Sequence, residues 1–314
     1  PMMAAIPAGI VRVRSGETDA VTNVLTLVVT PEETDLSNAT AYWTFDGRTP
    51  TVEDHDATGL CVTNVFGAGT HSVGMTAVVN GMTFDPIVKE KLFKVYASLI
   101  CMDAANVGHS AKPWKDWTNA ATNIDEITDY LTSGSVVLLK PGRYPLANTV
   151  NLMANITFRG VAADGVSAPA FADRPVIFCK TGAGNFRAFV LNDANARIEH
   201  LAITGFAGND PNGGYGGTVR VLSGRVADCF LYSTGAASNT RGGALGLSGS
   251  SSVAERCVIS NCYTTTSSAG YHGGAMAIAG GGRAENCLIV GCRSNGAGGV
   301  YLNGGSLAHC IVSG

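Results

Sequence analysis

From residue 198 onward, short runs of apolar residues alternate with polar ones, and the runs recur at a nearly fixed interval. Four segments lie on one another: GGTVRVLSGRVADCFLYST, GGALGLSGSSSVAERCVISNC, GGAMAIAGGGRAENCLIVGC and GGVYLNGGSLAHCIVSG. Cys229, Cys257, Cys287 and Cys310 then fall in one column, at steps of 28, 30 and 23 residues. Two residues further on, the same segments carry Leu231, Ile259, Ile289 and Val312. Alternation with period two puts both columns on the inward face of strands. Three residues before the cysteines stands a third apolar column, Val226, Ala254, Ala284 and Leu307, separated from the thiols by polar pairs such as Ala227-Asp228, Glu255-Arg256 and Glu285-Asn286. Those pairs predict a short outward corner. The pattern extends upward without glycine pairs: Ile198, Leu201 and Ile203 fit the three columns, and one unit earlier Met153, Ile156 and Phe158 are expected there too.

A unit of this length cannot bury its apolar face alone, so the repetition predicts stacking of like on like. No helical period runs between the glycine-rich corners, and the element predicted is a parallel β-solenoid. Residues 1–97 read differently. Runs at 24–29 (VLTLVV), 40–45 (TAYWTF), 71–79 (HSVGMTAVV) and 91–97 (KLFKVYA), separated by turn-rich segments, predict a small all-β sandwich with Trp43 in its core. The boundary between the two regions is expected in ASLICMDAANVGHSAKPW, with the solenoid occupying 98–314.

The column pattern resembles the right-handed parallel β-helix of pectin-lyase-like proteins. The tetrapeptides GGAL, GGAM and GGVY resemble repeats of bacterial surface proteins, including polymorphic outer-membrane and adhesin-like proteins. KPWKDWTNAATNIDEITDYLTSGSVVLLKPGRYPLANTVNLMANITFRG resembles the start of such helices, with an amphipathic capping helix, a first strand and a PGRY turn. AYWTFDGRTPT followed by GAGTHSVGMTAVVNG resembles the PKD and immunoglobulin-like modules of extracellular bacterial proteins. The fold class implied is all-β: an Ig/PKD-like β-sandwich, then a right-handed parallel β-helix with a short capping helix. A single solenoid fold carries many activities, so the resemblance speaks to fold more than to function.

Composition narrows the partners. The 314 residues include 40 glycines, 46% are hydrophobic, only 14% are charged, and the net charge is −3 without any run of Lys or Arg. That distribution argues against nucleic acid as a partner. No apolar stretch approaches the roughly 20 residues of a membrane-spanning helix. The opening PMMAAIPAGI lacks the charged start of a secretory signal, so export would imply that a signal had been removed. At Gly314 the last repeat is half-finished; further coils, or stacking on another subunit, are expected beyond it.

Candidate chemistry is sparse. A buried thiol is a small hydrophobe, and Cys229, Cys257, Cys287 and Cys310 are expected to be a reduced, structural ladder. Cys262 and Cys292 each follow a ladder cysteine by five residues, near a corner where backbone geometry is freer, and are the candidates for a cross-coil disulfide. His200, His272 and His309 do not converge with paired cysteines as a zinc site requires, so no metal and no cofactor is expected. Pectin-lyase-like helices include polysaccharide lyases, hydrolases and esterases, which need clustered carboxylates on one face. Here only Glu255 and Glu285 share a column on adjacent coils, at a distance suited to glycoside hydrolysis. Their neighbours Arg256 and Asn286 favour a solvated, charge-balanced corner. Asp210 in the loop GNDPNGG supplies one carboxylate, too few for calcium, and Ser, His and Asp lack the spacing of a triad.

One outward column stands apart. The residue after each ladder position runs Thr157, Ala202, Phe230, Val258, Leu288 and Ile311, turning apolar where a wet strand face is polar. Either an inserted loop such as 263–272 folds over this stripe, or Phe230, Val258, Leu288 and Ile311 form a contact surface. The reading expected is an extracellular or cell-surface, non-enzymatic rod acting in adhesion or assembly. It would associate with itself or with a surface or glycan ligand. A carbohydrate-active enzyme or carbohydrate-binding protein on the same scaffold is the alternative.

Overall fold

The computed structural model describes residues 12–15, 23–28, 38–66, 69–95, 97–111, 114–183, 185–209, 214–236, 240–265 and 272–314. Asp210, the opening decapeptide and most of the 263–272 loop lie outside the described residues. The chain divides into two compact units, Pro1–Ala97 and Ser98–Gly314.

The strands described in the first unit pair antiparallel. Ala39–Thr44 lies against Gly69–Val79, which also pairs with Ile87–Val95. Trp43 is fully buried with Ala41, Val62, Val73 and Ala77, and its indole N–H donates to the Gly59 carbonyl at 2.7 Å. That bond satisfies the one polar atom of a large apolar side chain. The turn after the tryptophan strand is held by Arg48, whose guanidinium meets the carboxylates of Asp46, Asp54 and Asp56.

The second unit is built of parallel strands in long sheets, an arrangement compatible with a solenoid. One sheet holds 12 strands, a second 7 and a short third 3. The long sheet stacks Val137, Phe158, Ile198, Val226, Ala254, Ala284 and Leu307. The second sheet stacks Tyr144, Ile177, Ile203, Leu231, Ile259, Ile289 and Val312. From Phe158 to Ala284, and from Tyr144 to Ile289, these side chains are at most 1% exposed, and together they form the core. Leu201 aligns with Cys229, as the repeats predict.

One expectation is corrected. Phe158 pairs with Ile198 and not with Ile203, so Ile156, Thr157 and Met153 stand in other columns than the repeats suggested. Met153 is 55% exposed. The segment 162–175 is inserted between the long-sheet strand Thr157–Gly160 and the second-sheet strand Val176–Cys179, and it carries the chain past the point where a regular repeat would turn. Val176 and Ile177 occupy the places assigned to Thr157 and Phe158.

The capping segment is shorter than an amphipathic helix. Ile124–Ile127 makes a single turn and continues as the 3-10 turn Thr128–Tyr130. The Asn123 side chain accepts the Asp125 N–H at 3.0 Å, capping that turn, while Ile124 and Ile127 are fully buried. ASLICM, read as part of a linker, is itself a strand at the edge of the long sheet.

The glycine pairs have separate physical reasons. Gly216, Gly242 and Gly273 adopt φ of 73°, 76° and 86°, a conformation that costs a side-chain-bearing residue. A Cβ on the following Gly217, Gly243 or Gly274 would stand 2.2 Å from the carbonyl oxygen of Gly235, Tyr263 or Arg293 respectively. The first glycine makes the turn, and the second admits the neighbouring backbone.

Candidate functional site

From Glu199 onward, each coil passes from the long sheet to the second sheet through one residue of positive φ: His200, Asp228, Arg256, Asn286 and His309, at 51° to 56°. A single left-handed residue bends the chain from one sheet into the next, and the thiol column follows immediately. Ser233, Asn261 and Gly291 repeat the device at the next corner, with φ of 47°, 53° and 64°, and Thr234, Cys262 and Cys292 follow them.

The position after a corner places its side chain inward against two carbonyls. The Cys229 thiol donates to Ala227 at 3.2 Å and lies 3.6 Å from the Ile198 carbonyl. Cys257 is similarly placed against Glu255 and Val226, Cys310 against Ala308 and Ala284, and Cys262 against Ser260 and Leu231. Thr234, in the Cys262 column, donates to Phe206 at 2.8 Å. On these coils the position takes a small side chain with a weak donor, which a thiol supplies while remaining a good core residue; the preceding coil fills the same two columns with Leu201 and Phe206. Desolvation raises the Cys229 thiol to about 12, the state of an inert thiol. Cys229, Cys257, Cys262, Cys287, Cys292 and Cys310 are all free thiols.

Outward from the first corner, charge is balanced locally. Glu255 and Glu285 are register partners, as expected. Glu255 meets Arg225 at 2.7 Å and Arg256 at 3.1 Å, and Glu285 meets Arg283 at 3.4 Å. Arg256 also reaches down to Asp228, 2.8 Å away, and Glu199 pairs with Arg159 at 2.8 Å. Burial by itself would raise the Glu255 carboxyl, but the Arg225 and Arg256 contacts outweigh it and hold the group below its ordinary value. A glycosidase acid needs the opposite shift. The long sheet presents Arg197, Arg225, Val253 and Arg283 in one column and Arg159, Glu199, Ala227, Glu255 and Glu285 in the next, so that a buried apolar residue interrupts each row of charge once. Among the described residues no group of three or more His, Cys, Asp or Glu side chains could hold a metal ion.

One outward column of the second sheet is apolar, while the next one along carries Phe178, Thr204, Tyr232, Ser260, Val290 and Ser313. Val176, Ala202, Phe230, Val258, Leu288 and Ile311 are successive register partners. Its first half is covered from within: Phe171, carried by the inserted segment 162–175, lies against Phe230 with ring centroids 5.0 Å apart, and Phe230 stacks on Tyr232 at 4.5 Å. Arg174 lies over the Phe171 ring at 4.4 Å. This cover comes from a segment more than fifty residues upstream of Phe230; the loop expected to fold over the stripe, 263–272, lies mostly outside the described residues. Beyond Phe230 the stripe opens, with Leu288 39% and Ile311 65% exposed, and Val290 beside them 37% exposed.

Sequence reasoning found the stripe and the Glu255–Glu285 register. It missed Phe171, Arg174 and the left-handed corners; a run of αL-compatible Asn and Asp at Asp228, Asn261 and Asn286 was the available signal for the last. No helix among the described residues is long and apolar enough to cross a membrane. No protein-family model, curated protein or solved structure matches the chain.

Proposed function

We propose that the first unit is an Ig/PKD-like sandwich, and that Ser98–Gly314 is a right-handed parallel β-helix of pectin-lyase type that serves as a non-enzymatic rod. Its work is contact, either with further copies or with a surface ligand, in the extracellular or cell-surface setting that the glycine-pair resemblance implies. The observation that carries this reading is the outward stripe on the second sheet, which remains apolar and exposed at Leu288, Val290 and Ile311. Monomeric proteins seldom leave a contiguous row of that kind bare unless it meets a partner. The carboxylates on the opposite face support the same reading, because arginines neutralise the best catalytic candidates, Glu255 and Glu285.

The test is the double substitution Leu288→Ser and Ile311→Ser, followed by sedimentation velocity and a cell-binding assay. Both sites are outward and exposed, so the melting midpoint should stay within about 2 °C of the parent's, consistent with a surface change below about 0.5 kcal/mol. Assembly or surface attachment should fall at least tenfold. Unchanged assembly and attachment in a folded variant would remove the stripe from consideration. A second reading, carbohydrate binding, is favoured by the half-exposed Phe171 ring beside Arg174. A glycan array in which Phe171→Ala abolishes a signal would select it.

A further inference from the structure

We propose that Cys262 and Cys292 are a modification site: a thiol pair that closes into a disulfide between adjacent coils on exposure to a small-molecule disulfide. The two residues precede Tyr263 and Arg293, which form a parallel bridge, so they are direct neighbours on successive coils. Strand spacing of about 4.8 Å lies inside the Cα separation of natural disulfides. The Cys262 backbone N–H donates to the Cys292 sulfur at 3.4 Å, which already brings one thiol over the other's backbone.

What separates this pair from the four-thiol ladder is its surroundings. Cys229, Cys257 and Cys287 lie between the long sheet and the second sheet, whose columns run continuously on either side and fix the backbone. Parallel Cβ vectors must twist to reach the roughly 90° torsion of a disulfide, and a locked backbone resists that twist. Cys262 and Cys292 instead open the short third sheet, whose strands Gly235–Ala236 and Tyr263–Thr264 are two residues long, and Arg293 continues it only by a single bridge. The residues on the two preceding coils of the column are Thr234 and Phe206, so those coils offer the pair no third thiol with which to exchange. Cys292 is 8% exposed and is followed by the outward segment 293–299, whereas Cys262 is fully buried. This arrangement gives an attacking thiol with a route to solvent and a resolving thiol held behind it.

The chemistry balances without a cofactor. The Cys292 thiolate attacks one sulfur of a small disulfide such as oxidised glutathione, its S–S bond breaks, and one glutathione leaves as thiolate, taking up the proton lost from Cys292. The Cys262 sulfur then attacks Cys292 in the mixed disulfide, the second glutathione departs with the proton of Cys262, and the protein S–S bond is formed. Two cysteines are oxidised by two electrons, and one glutathione disulfide is reduced to two thiols.

The full chain is incubated, folded, with oxidised glutathione and analysed by intact mass and by peptide mapping under non-reducing conditions. The expected product has lost two hydrogens, retains no glutathione, and yields one cross-linked peptide joining Cys262 to Cys292. Its melting midpoint should rise by about 5 °C and return on reduction. Cys257→Ser should leave the cross-link in place, whereas Cys292→Ser should abolish both the link and the shift. Mapping of the unsubstituted chain decides the matter by itself should Cys292→Ser fold poorly. Three results would overturn the proposal: retention of all thiols, a stable glutathione adduct with no internal bond, or a cross-link through Cys257, Cys287 or Cys310.

Discussion

The two outward faces that flank the first corner rest on the same coils and the same spacing, yet they have opposite chemistry. The long sheet offers rows of arginine and glutamate that neutralise one another from coil to coil, as in Arg225 with Glu255 and Arg256 with Asp228. The second sheet offers Phe230, Val258, Leu288 and Ile311. The inward columns behind both are apolar and, as far as Ala284 and Ile289, equally buried, so the difference owes nothing to the core. A repeating backbone fixes where side chains point, and the outward residues alone decide what each face meets. A face whose charges are already matched has little left to offer a ligand, whereas a face left greasy for several coils is poorly suited to water.

The comparison breaks most completely if the shared support is removed. Ile259→Ala takes away a fully buried side chain beneath the second sheet. It should cost about 3 kcal/mol in denaturant unfolding and loosen both faces together; a loss confined to one face would mean that the sheets do not share a core. A smaller effect is expected from Glu255→Gln, which leaves Arg225 and Arg256 without their common carboxylate. Stability should fall by about 1 kcal/mol, reduced from a fully buried pair because the arginines are partly in solvent. Attachment or assembly should be unaffected, in contrast to the serine pair on the stripe.

The smallest effect is in acid. Burial raises the Asp228 carboxyl, and the hydrogen bonds of Arg256 more than reverse this, so the folded value lies below the unfolded one; Glu255 behaves likewise through Arg225. Depressed carboxyls contribute stability that is present above the unfolded value, about 4, and is lost as the pH falls through the folded value. Unfolding midpoints measured down that limb should drop less steeply in Arg256→Gln than in the parent. Parallel acid limbs in the two proteins would show that the ion pairs of the long sheet contribute nothing net.

From Ile198 onward, the inward columns were legible because every coil repeats them with little insertion, and Cys229 through Cys310 marked the register. Between 131 and 177 the same columns were shifted, since the insertion at 162–175 adds residues that no local pattern counts. The strand ASLICM was hidden for a different reason. Ile100, Cys101 and Met102 are all buried, with Cys101 hydrogen-bonded to Trp114 from the overlying segment, so the strand has no polar face to alternate with. Phe171 was illegible because its own neighbours, Ala172 and Asp173, say nothing about which surface the insertion covers. The Glu255–Glu285 register was readable, but the arginines that silence it lie partly on other coils, and only stacking brings them together.

The corner residues His200, Asp228, Arg256, Asn286 and His309 share a backbone angle and nothing else. Because the interior requires the angle alone, at a strain of about 1 kcal/mol for a residue other than glycine, the chemical identity of that position answers only to its outward neighbours, as Arg256 does to Asp228. The edge amounts to a ruler graduated at about 4.8 Å, on which each mark can be rewritten without disturbing the interior. Grafting a chosen sequence of acids, bases or amides along it would give a linear display of defined spacing.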